Sequence, residues 1–545
     1  MLIANKQICT GDTSMKKLPI GISNLRKIIE GGYAYVDKSR FVHKLNQMGT
    51  YYFLSRPRRF GKSLLIDTLK EAFEGNKELF SNLWLYDHWD WKKHYPVIHI
   101  SFGGGVIRSR EELDHRIRDI LYRNETNLGI TCRQPNDIPG YFGELIRNSA
   151  KKYGLRTVIL IDEYDKPILD NISDHARAQE VREGLKNLYS VVKDSDADIQ
   201  FALLTGVSKF SKVSLFSGLN NLMDITLEPE YSAICGYSEP EMTQIFSDYL
   251  GNKSLEDIRR WYNGYAWLGQ KVYNPFSILN YFRTGTFRNY WFETGTPGFL
   301  INLLEKRRYY IPGIEHIQAS EALIGAFEVD FIEPESLLFQ TGYLTIQHEQ
   351  RVAGKTFYTL GYPNMEVKAS LSDYILSRYS HDKAMKEKVQ LKIYQAFQEK
   401  NLDALKTIFQ ALFSSIPHDW YRKNKLSEYE GYYASVFYCY FTALGLNVTP
   451  EDTTNHGRID MTVQLDDNKV YIFEFKVVDI DKTPGTALAQ IQQKGYADKF
   501  RENFTEIYLI GVEFDRTQRN IIRFEWEQLK DPAQGQDTRQ MGTPQ

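Results

Sequence analysis

Gly61-Lys62-Ser63, opening a helix directly after the apolar strand Tyr51–Leu54, carries the clearest chemistry in this 545-residue chain. Free N–H groups at a helix start can cradle phosphate oxygens. A lysine there supplies a cation for the β and γ phosphates, and a serine offers a hydroxyl to Mg²⁺. Farther on, the apolar run Val158–Ile161 ends in Asp162-Glu163, one carboxylate to hold a metal and one to polarise water. Phosphoryl transfer needs positioning and charge neutralisation more than covalent chemistry, and these are the parts that supply both. Arg58, Arg59, Phe60, Gly61, Lys62, Ser63 and Leu64 are therefore read as the binding loop for ATP, Ser63 and Asp162 as Mg²⁺ ligands, and Glu163 as catalytic. The loop departs from G-x-x-x-x-G-K-[ST] at its first position, which is Arg56. Without that glycine, and with Pro57 stiffening the path, the backbone is expected to start differently. The bland alternative is a basic turn ahead of a buried helix.

A second set of residues lies near the C-terminus. Glu430 starts a helix in which Tyr433, Phe437, Tyr440, Phe441 and Leu444 recur at helical spacing, and Gly445 ends it. Strand Ile459–Leu465 contains Asp460, a turn follows at Asp466-Asp467-Asn468, and strand Val470–Val478 carries Glu474-Phe475-Lys476. Side chains alternate along a strand, so Glu474 and Lys476 share a face while Phe475 points to the core. If the strands pair through that turn, Asp460 lies close to Glu474. Two carboxylates and an ammonium then meet, the layout needed to hold Mg²⁺ and orient a water for phosphodiester hydrolysis. Gln490 follows on a helix over Ala487–Phe500, and then a strand, Glu506–Gly511. Charged residues on paired strands also describe a solvated face. The order helix-Glu, Asp, Glu-x-Lys, helix-Gln, strand argues instead for a nuclease-type fold. His456 stands beside Asp460 either as an assistant or as a surface turn histidine.

The elements that must hold these residues alternate. Tyr51–Leu54, Val97–Phe102, Val158–Ile161, Phe201–Leu204 and Met223–Leu227 are short apolar runs separated by helical stretches such as Arg110–Asn124 and Ala176–Val192. That rhythm predicts a parallel sheet covered on both faces, with ligands at the carboxyl ends of its strands. Thr205, ending one strand, is placed to sense the γ-phosphate or is an ordinary turn threonine before Gly206. From 236 the pattern turns helical, starting with a capping box at Ser238-Glu239-Pro240-Glu241. An apolar helix near Leu337, then Tyr343–His348 and Thr356–Leu360 around Gly354, predict a winged-helix module that locks the ATPase or contacts DNA, the former favoured.

Bulk properties bound the rest. The length exceeds one domain, and 42% hydrophobic with 25% charged residues is a globular composition. A net charge of −2 gives no global basic field for nucleic acid, so any such contact rests on local patches. Cys9, Cys132, Cys235 and Cys439 form no C-x-x-C pair, which fits a reducing cytosol and argues against a zinc knuckle. No run approaches a membrane span.

Several motifs together carry a family resemblance. Leu18-Pro19-Ile20-Gly21-Ile22, Tyr35-Val36-Asp37-Lys38, Arg56–Ser63, Ile161–Pro167 and Tyr273-Asn274-Pro275-Phe276 resemble the bacterial AAA-ATPase-like family. Gly457-Arg458-Ile459-Asp460 with Glu474-Phe475-Lys476 and Gln490-Ile491 resembles the PD-(D/E)XK nuclease domain commonly fused to it. The resemblance implies ATP held by Lys62 and Ser63, with Asp162 and Glu163 in the metal and water-polarising roles. It also implies a nuclease triad of Asp460, Glu474 and Lys476, supported by Glu430 and Gln490. Ile459 stands where the name-giving proline would be.

The expected architecture is multidomain α/β. An extension at 1–14 precedes a P-loop core at 15–235, a helical lid and winged-helix-like region at 236–365 and a helical connector at 366–420. A restriction-endonuclease-like α/β domain at 421–530 and a disordered tail at 531–545 complete it. The functional expectation is a cytoplasmic ATP-driven switch coupled to a Mg²⁺-dependent nuclease-like domain acting on nucleic acid, DNA before RNA. The alternative is a nucleotide-binding scaffold that grips nucleic acid without cutting. Homo-oligomerisation stays open, since an arginine finger could come from a neighbour or, in cis, from Arg56, Arg58 or Arg59.

Overall fold

The computed structural model describes residues 15–209, 221–291, 298–307, 309–325, 333–379, 383–415, 430–455, 457–465, 468–478 and 486–529. The extension at 1–14, the tail from 531, Asp466-Asp467 and His456 lie outside them. Chain packing divides the protein into two units: Met1–Thr294 with Ala319–Phe357, and Gly295–Gln318 with Tyr358–Gln545.

In the first unit five strands form one sheet: β1 (Tyr51–Ser55), β2 (Val97–Ser101), β3 (Thr157–Asp162), β4 (Ile199–Gly206) and β5 (Met223–Asp224). Their order is β2-β3-β4-β1-β5 and every pairing is parallel. β1 and β3 are buried at every position, which explains their near-continuous apolar sequence: helices cover both faces. β5 keeps two residues of the run expected over 223–227. Placing β4 between β1 and β3 brings the end of the phosphate-loop strand and the Asp162 strand within one residue-width of a common neighbour. Helix α1 (Lys62–Phe73) follows β1, and α2 (Arg110–Leu128) follows β2, capped by the Ser109 hydroxyl accepting from Glu112 N–H at 3.1 Å.

The helical region begins at Glu239–Ile245 with the expected capping box, its Ser238 and Glu241 bonding reciprocally. Glu241 does a second job. Both its oxygens accept from Lys38 Nζ, at 2.8 and 2.7 Å, tying the N-terminal segment to this helix. Around that ion pair Ala34 and Val36 share a buried cluster with Met242, Phe246, Ile278 and Leu279. The helix Pro334–Thr341 and the strands Thr345–Val352 and Lys355–Gly361 follow in the expected helix-plus-hairpin succession.

The second unit carries helices Met365–Tyr379, Lys383–Gln398 and Leu402–Ser415, then α3 (Glu430–Ala443) and a five-stranded sheet. Its strands, β6 (Asn447–Thr454), β7 (Gly457–Leu465), β8 (Lys469–Val478), β9 (Glu506–Asp515) and β10 (Asn520–Leu529), lie in chain order. The β8–β9 pairing alone is parallel; the others are antiparallel. Helical spacing suggested one apolar face on α3, yet residues 432–442 are all buried. Aromatic rings surround it: Phe437 stacks on Phe409 with centroids 3.7 Å apart and lies 5.1 Å from Phe475. A helix wrapped on all sides loses its amphipathic signature.

The helix expected over Ala487–Phe500 is two pieces, α4 (Thr486–Gln493) and a 3-10 turn at Tyr496–Phe500. Gly495 between them adopts φ 60°, a left-handed conformation that ends a right-handed helix. The start of α4 is fixed by the buried Glu513 carboxylate, which accepts from Thr486 N–H at 2.7 Å and Ala487 N–H at 3.1 Å. Its closeness to the sheet depends on Gly511, the register partner of Glu474: a Cβ there would fall 2.3 Å from the Leu488 nitrogen. Gly511→Ala is expected to lift α4 and cost about 1–3 kcal/mol, as overpacked sites do. An unchanged unfolding midpoint in denaturant would show that α4 does not sit against β9 as described.

Candidate functional site

The phosphate loop is built around its own cations. Arg56, in the place of the first glycine, is wholly buried, and it does not line an anion site. Its guanidinium donates to the carbonyls of Ser55, Thr226 and Tyr231 at 2.9 to 3.1 Å and lies 4.1 Å from the Trp267 ring. Burial pulls it down to about 10. Arg59 and Gly61 both adopt left-handed backbone, φ 69° and 97°. Such turns make successive N–H groups converge into an anion-binding concavity. The first helical bond of α1 runs from Leu65 N–H to the Gly61 carbonyl, so the amides just before it have no partner within the helix. Lys62 is buried and donates to the carbonyls of Arg56 and Pro57 at 2.8 and 2.9 Å. An ammonium has three N–H donors, so one remains for a ligand.

These residues border a cavity of about 740 Å³. Arg58, Arg59, Phe60, Gly61, Lys62, Ser63, Leu64 and Glu163 all line it. Phe60 is held edge-on by Tyr265 and Trp267, and the Arg59 guanidinium sits 4.8 Å from the Phe276 ring. Apolar residues also line it, among them Pro19, Ile22 and Val36 on the N-terminal segment and Pro275 and Leu279 on the helical one. Pro19 and Ile22 belong to the Leu18–Ile22 motif, to which residue type alone assigns no role. The legible signal was an apolar motif some thirty residues ahead of a phosphate loop.

Asp162 and Thr205 stand behind this lining. Thr205 is fully buried and its hydroxyl donates to Asp162 Oδ1 at 2.7 Å, so it orients the carboxylate and does not face the cavity. Asp162 Oδ1 also accepts from Glu163 N–H at 3.0 Å, while Oδ2 has no donor among the described residues. Glu163 has left-handed φ, 55°, and burial raises its carboxyl, reinforced by the charge of Asp162. Asp162 Oδ2 and the Ser63 hydroxyl suit a divalent cation, which takes oxygen ligands and retains waters.

In the second unit the register runs as anticipated. Met461 opposes Phe473, which makes Asp460 and Glu474 the next pair along the ladder. There the ladder gives way: Phe475 N–H donates to Asp460 Oδ2 at 2.7 Å. Gln490 donates to Glu474 Oε1, and Lys476 Nζ to the Thr486 carbonyl at 3.2 Å. Glu474 Oε2 is buried with no hydrogen-bond partner among the described residues. Burial pushes Asp460 up to about 6, and burial with the nearby Asp460 charge pushes Glu474 up to about 8. Burial also raises Glu430, against the Val477 N–H and Lys476 that favour its charged form. Tyr496, which sequence reasoning missed, donates to the Arg458 carbonyl at 2.9 Å and is raised by burial and by both carboxylates. An orphaned carboxylate oxygen beside a second, half-buried carboxylate fits a hard cation. Among the described residues no three His, Cys, Asp or Glu side chains gather at one point, so two carboxylates are what this site could offer a cation.

A parallel-sheet phosphate-loop unit and a mixed-sheet unit with paired carboxylates define an ATPase-like protein with a nuclease-like fold. The family model described as "Predicted AAA-ATPase" matches residues 19–216, and that of the "PD-(D/E)XK nuclease superfamily" matches 428–524. A protein of Azotobacter chroococcum mcd 1, described as "Uncharacterized protein in vnfD 5'region", is 54% identical over 518 residues, covering 95% of this chain and 100% of its own. The chain belongs to this AAA-ATPase-like family and carries its PD-(D/E)XK nuclease superfamily domain. Among the described residues, no helix is long and apolar enough to cross a membrane.

The carboxylate pair predicts a pH dependence. Unfolded carboxyls release their protons near pH 4. The folded pair holds them to about 6 and about 8, so stability is fully present below pH 4 and falls as pH rises through that window. The melting temperature without divalent cation should drop from pH 5 to 8.5. Glu474→Gln should flatten that drop, and Mg²⁺ or Mn²⁺ should reverse it with proton release. An equal slope in wild type and Glu474→Gln would contradict the assignment.

Proposed function

We propose that this protein is a cytoplasmic ATPase whose turnover governs a metal-dependent nuclease domain acting on nucleic acid, DNA before RNA. The observation that carries the reading is a single cavity uniting Lys62, Ser63 and Glu163 with an apolar wall suited to a nucleotide base. Lys62 and the helix-entrance amides hold the triphosphate, and Ser63 with Asp162 would hold Mg²⁺. Bound there, Mg²⁺ would offset the charge on the β and γ phosphates. Glu163, raised by burial, is suited to accept a proton from the attacking water.

In the second unit, Asp460 and Glu474 would hold a divalent cation, which supplies charge neutralisation at the scissile phosphate. Lys476 stands beside the pair as a cation for the phosphate, and Gln490 fixes Glu474. Glu430 closes the acidic side. Among the described residues Cys132, Cys235 and Cys439 are unpaired thiols, in keeping with the reducing compartment of this reading. Self-association through a shared arginine is a further option that sedimentation with ATP would reveal.

Phosphate release and strand scission, measured together with ATP, metal and a panel of DNA and RNA, test the reading. Lys62→Ala should abolish ATP binding, and equal affinity in the variant and wild type would sink the ATPase half. Asp460→Ala should abolish scission while phosphate release continues. Nucleic acid retained at low salt and left intact with Mg²⁺ or Mn²⁺ would replace cutting with gripping, because phosphate contacts bind without cleaving.

A further inference from the structure

Beyond Ser101 the chain forms a loop of three consecutive glycines, Gly103-Gly104-Gly105. Ser101 is the register partner of Asp162, so the loop leaves the sheet beside the acidic strand end. Gly103 and Gly105 line the cavity that holds Lys62 and Glu163. A Cβ on Gly103 would meet Glu163 Oε2 at 3.3 Å, and one on Gly105 would meet Arg116 Nη2 at 3.3 Å. A Cβ on Gly104 would lie 3.7 Å from Arg116 Nη1. Between the Glu163 carboxylate and the Arg116 guanidinium runs a strip of backbone without side chains. The strip is anchored: Lys166 Nζ donates to the Gly105 carbonyl at 2.5 Å, and Gly103 N–H donates to Ser101 Oγ at 3.3 Å.

Arg116 itself projects from α2 and is half-buried. The acids within helical reach are occupied. Glu112 Oε2 accepts from Arg108 N–H at 2.8 Å, and Asp119 pairs with Arg123 at 2.7 Å. Arg116 makes no ion pair among the described residues. Of the other cations near the cavity, Arg59 rests on Phe276, Lys38 pairs with Glu241 at 2.7 Å and Lys166 pairs with Asp170 at 2.6 Å; Arg58 lines the cavity without an ion pair among the described residues and is the rival that the test includes. Arg116 therefore stands behind the glycine strip that lines the cavity, a partly desolvated guanidinium without the carboxylate that such groups usually take among the described residues.

We infer that Arg116 is a catalytic arginine supplied in cis, which neutralises charge developing on the γ-phosphoryl group; the inference rests on the ATPase reading above. In the step it serves, a water oxygen bonds to the γ phosphorus as the bond to the β–γ bridging oxygen breaks. ADP leaves with that electron pair, inorganic phosphate forms, and the water's proton passes to Glu163. The glycine strip lets the Arg116 fork pass over bare backbone to the transferring group. Two parallel N–H donors match two phosphoryl oxygens, a match a lysine cannot make.

The test compares wild type, Arg116→Ala, Arg116→Lys and Arg58→Ala for ATP affinity, turnover and affinity for ADP–aluminium fluoride, a mimic of the transferring group. Arg116→Ala should lower kcat and weaken ADP–aluminium fluoride binding by roughly 10³-fold, the lower end of what such arginines contribute. Its ATP affinity should stay within about threefold of wild type, since transition-state stabilisation leaves ground-state binding intact. Arg116→Lys should recover little of the loss while melting like wild type, which separates chemistry from folding. Wild-type turnover in Arg116→Ala, an equal loss of ATP and mimic affinity, or the defect appearing in Arg58→Ala instead would overturn the assignment. A wild type that binds no ATP would remove the underlying reading, an outcome visible before any variant is compared.

Discussion

The Arg56 guanidinium, sealed inside the first unit, fixes where the phosphate loop begins. Its three carbonyl partners come from the loop's own strand, from Thr226 beyond the edge strand and from Tyr231. Removing such a group strands several carbonyls and leaves a cavity, so a buried cation satisfied by backbone resists substitution from many directions. Once the loop start is fixed, Lys62 can draw on the carbonyls of Arg56 and Pro57 and still keep one donor. The residue that breaks the glycine pattern thus performs by side chain what the glycine would have done by backbone.

The second unit meets the same physical demand with the opposite sign. A buried acid, Glu474, lies next to a half-buried one, Asp460, and desolvation with mutual repulsion holds protons on them well above the ordinary range. The surroundings are arranged to tolerate this: Phe475 N–H for one, Gln490 for the other, Lys476 nearby. Groups pushed this far are characteristic of sites built for a cation or for proton transfer. Beneath the pair the aromatic packing of α3 reaches the Glu474 strand, Phe437 lying 5.1 Å from Phe475.

Much of this was readable from residue order. The parallel sheet followed from apolar runs with no polar alternation, and the Asp460–Glu474 pairing from a two-residue period carried across a turn. What escaped notice depended on contacts distant in sequence. Nothing local to Arg56 said that Trp267 would lie under its guanidinium. Thr205 read as a cavity residue because its strand end was right, yet its hydroxyl turns toward Asp162. The break at Gly495 was misjudged because a glycine inside an apolar helical pattern is tolerated as often as it terminates. Strand β6, Asn447–Thr454, gave no apolar alternation to read: it is an edge strand with Pro450 and mostly polar residues.

Glu241 belongs at once to a helix cap and to an ion pair with Lys38, a residue two hundred positions earlier in the chain. The apolar wall of the cavity is therefore made from two stretches tied together by one carboxylate. A fragment cut to begin at the β1 strand would keep every phosphate-binding residue and lose half of that wall. It would also leave the Glu241 carboxylate without its ammonium. The apolar lining and the phosphate-loop residues thus come from separable stretches of the chain: the first draws on residues ahead of β1, the second does not.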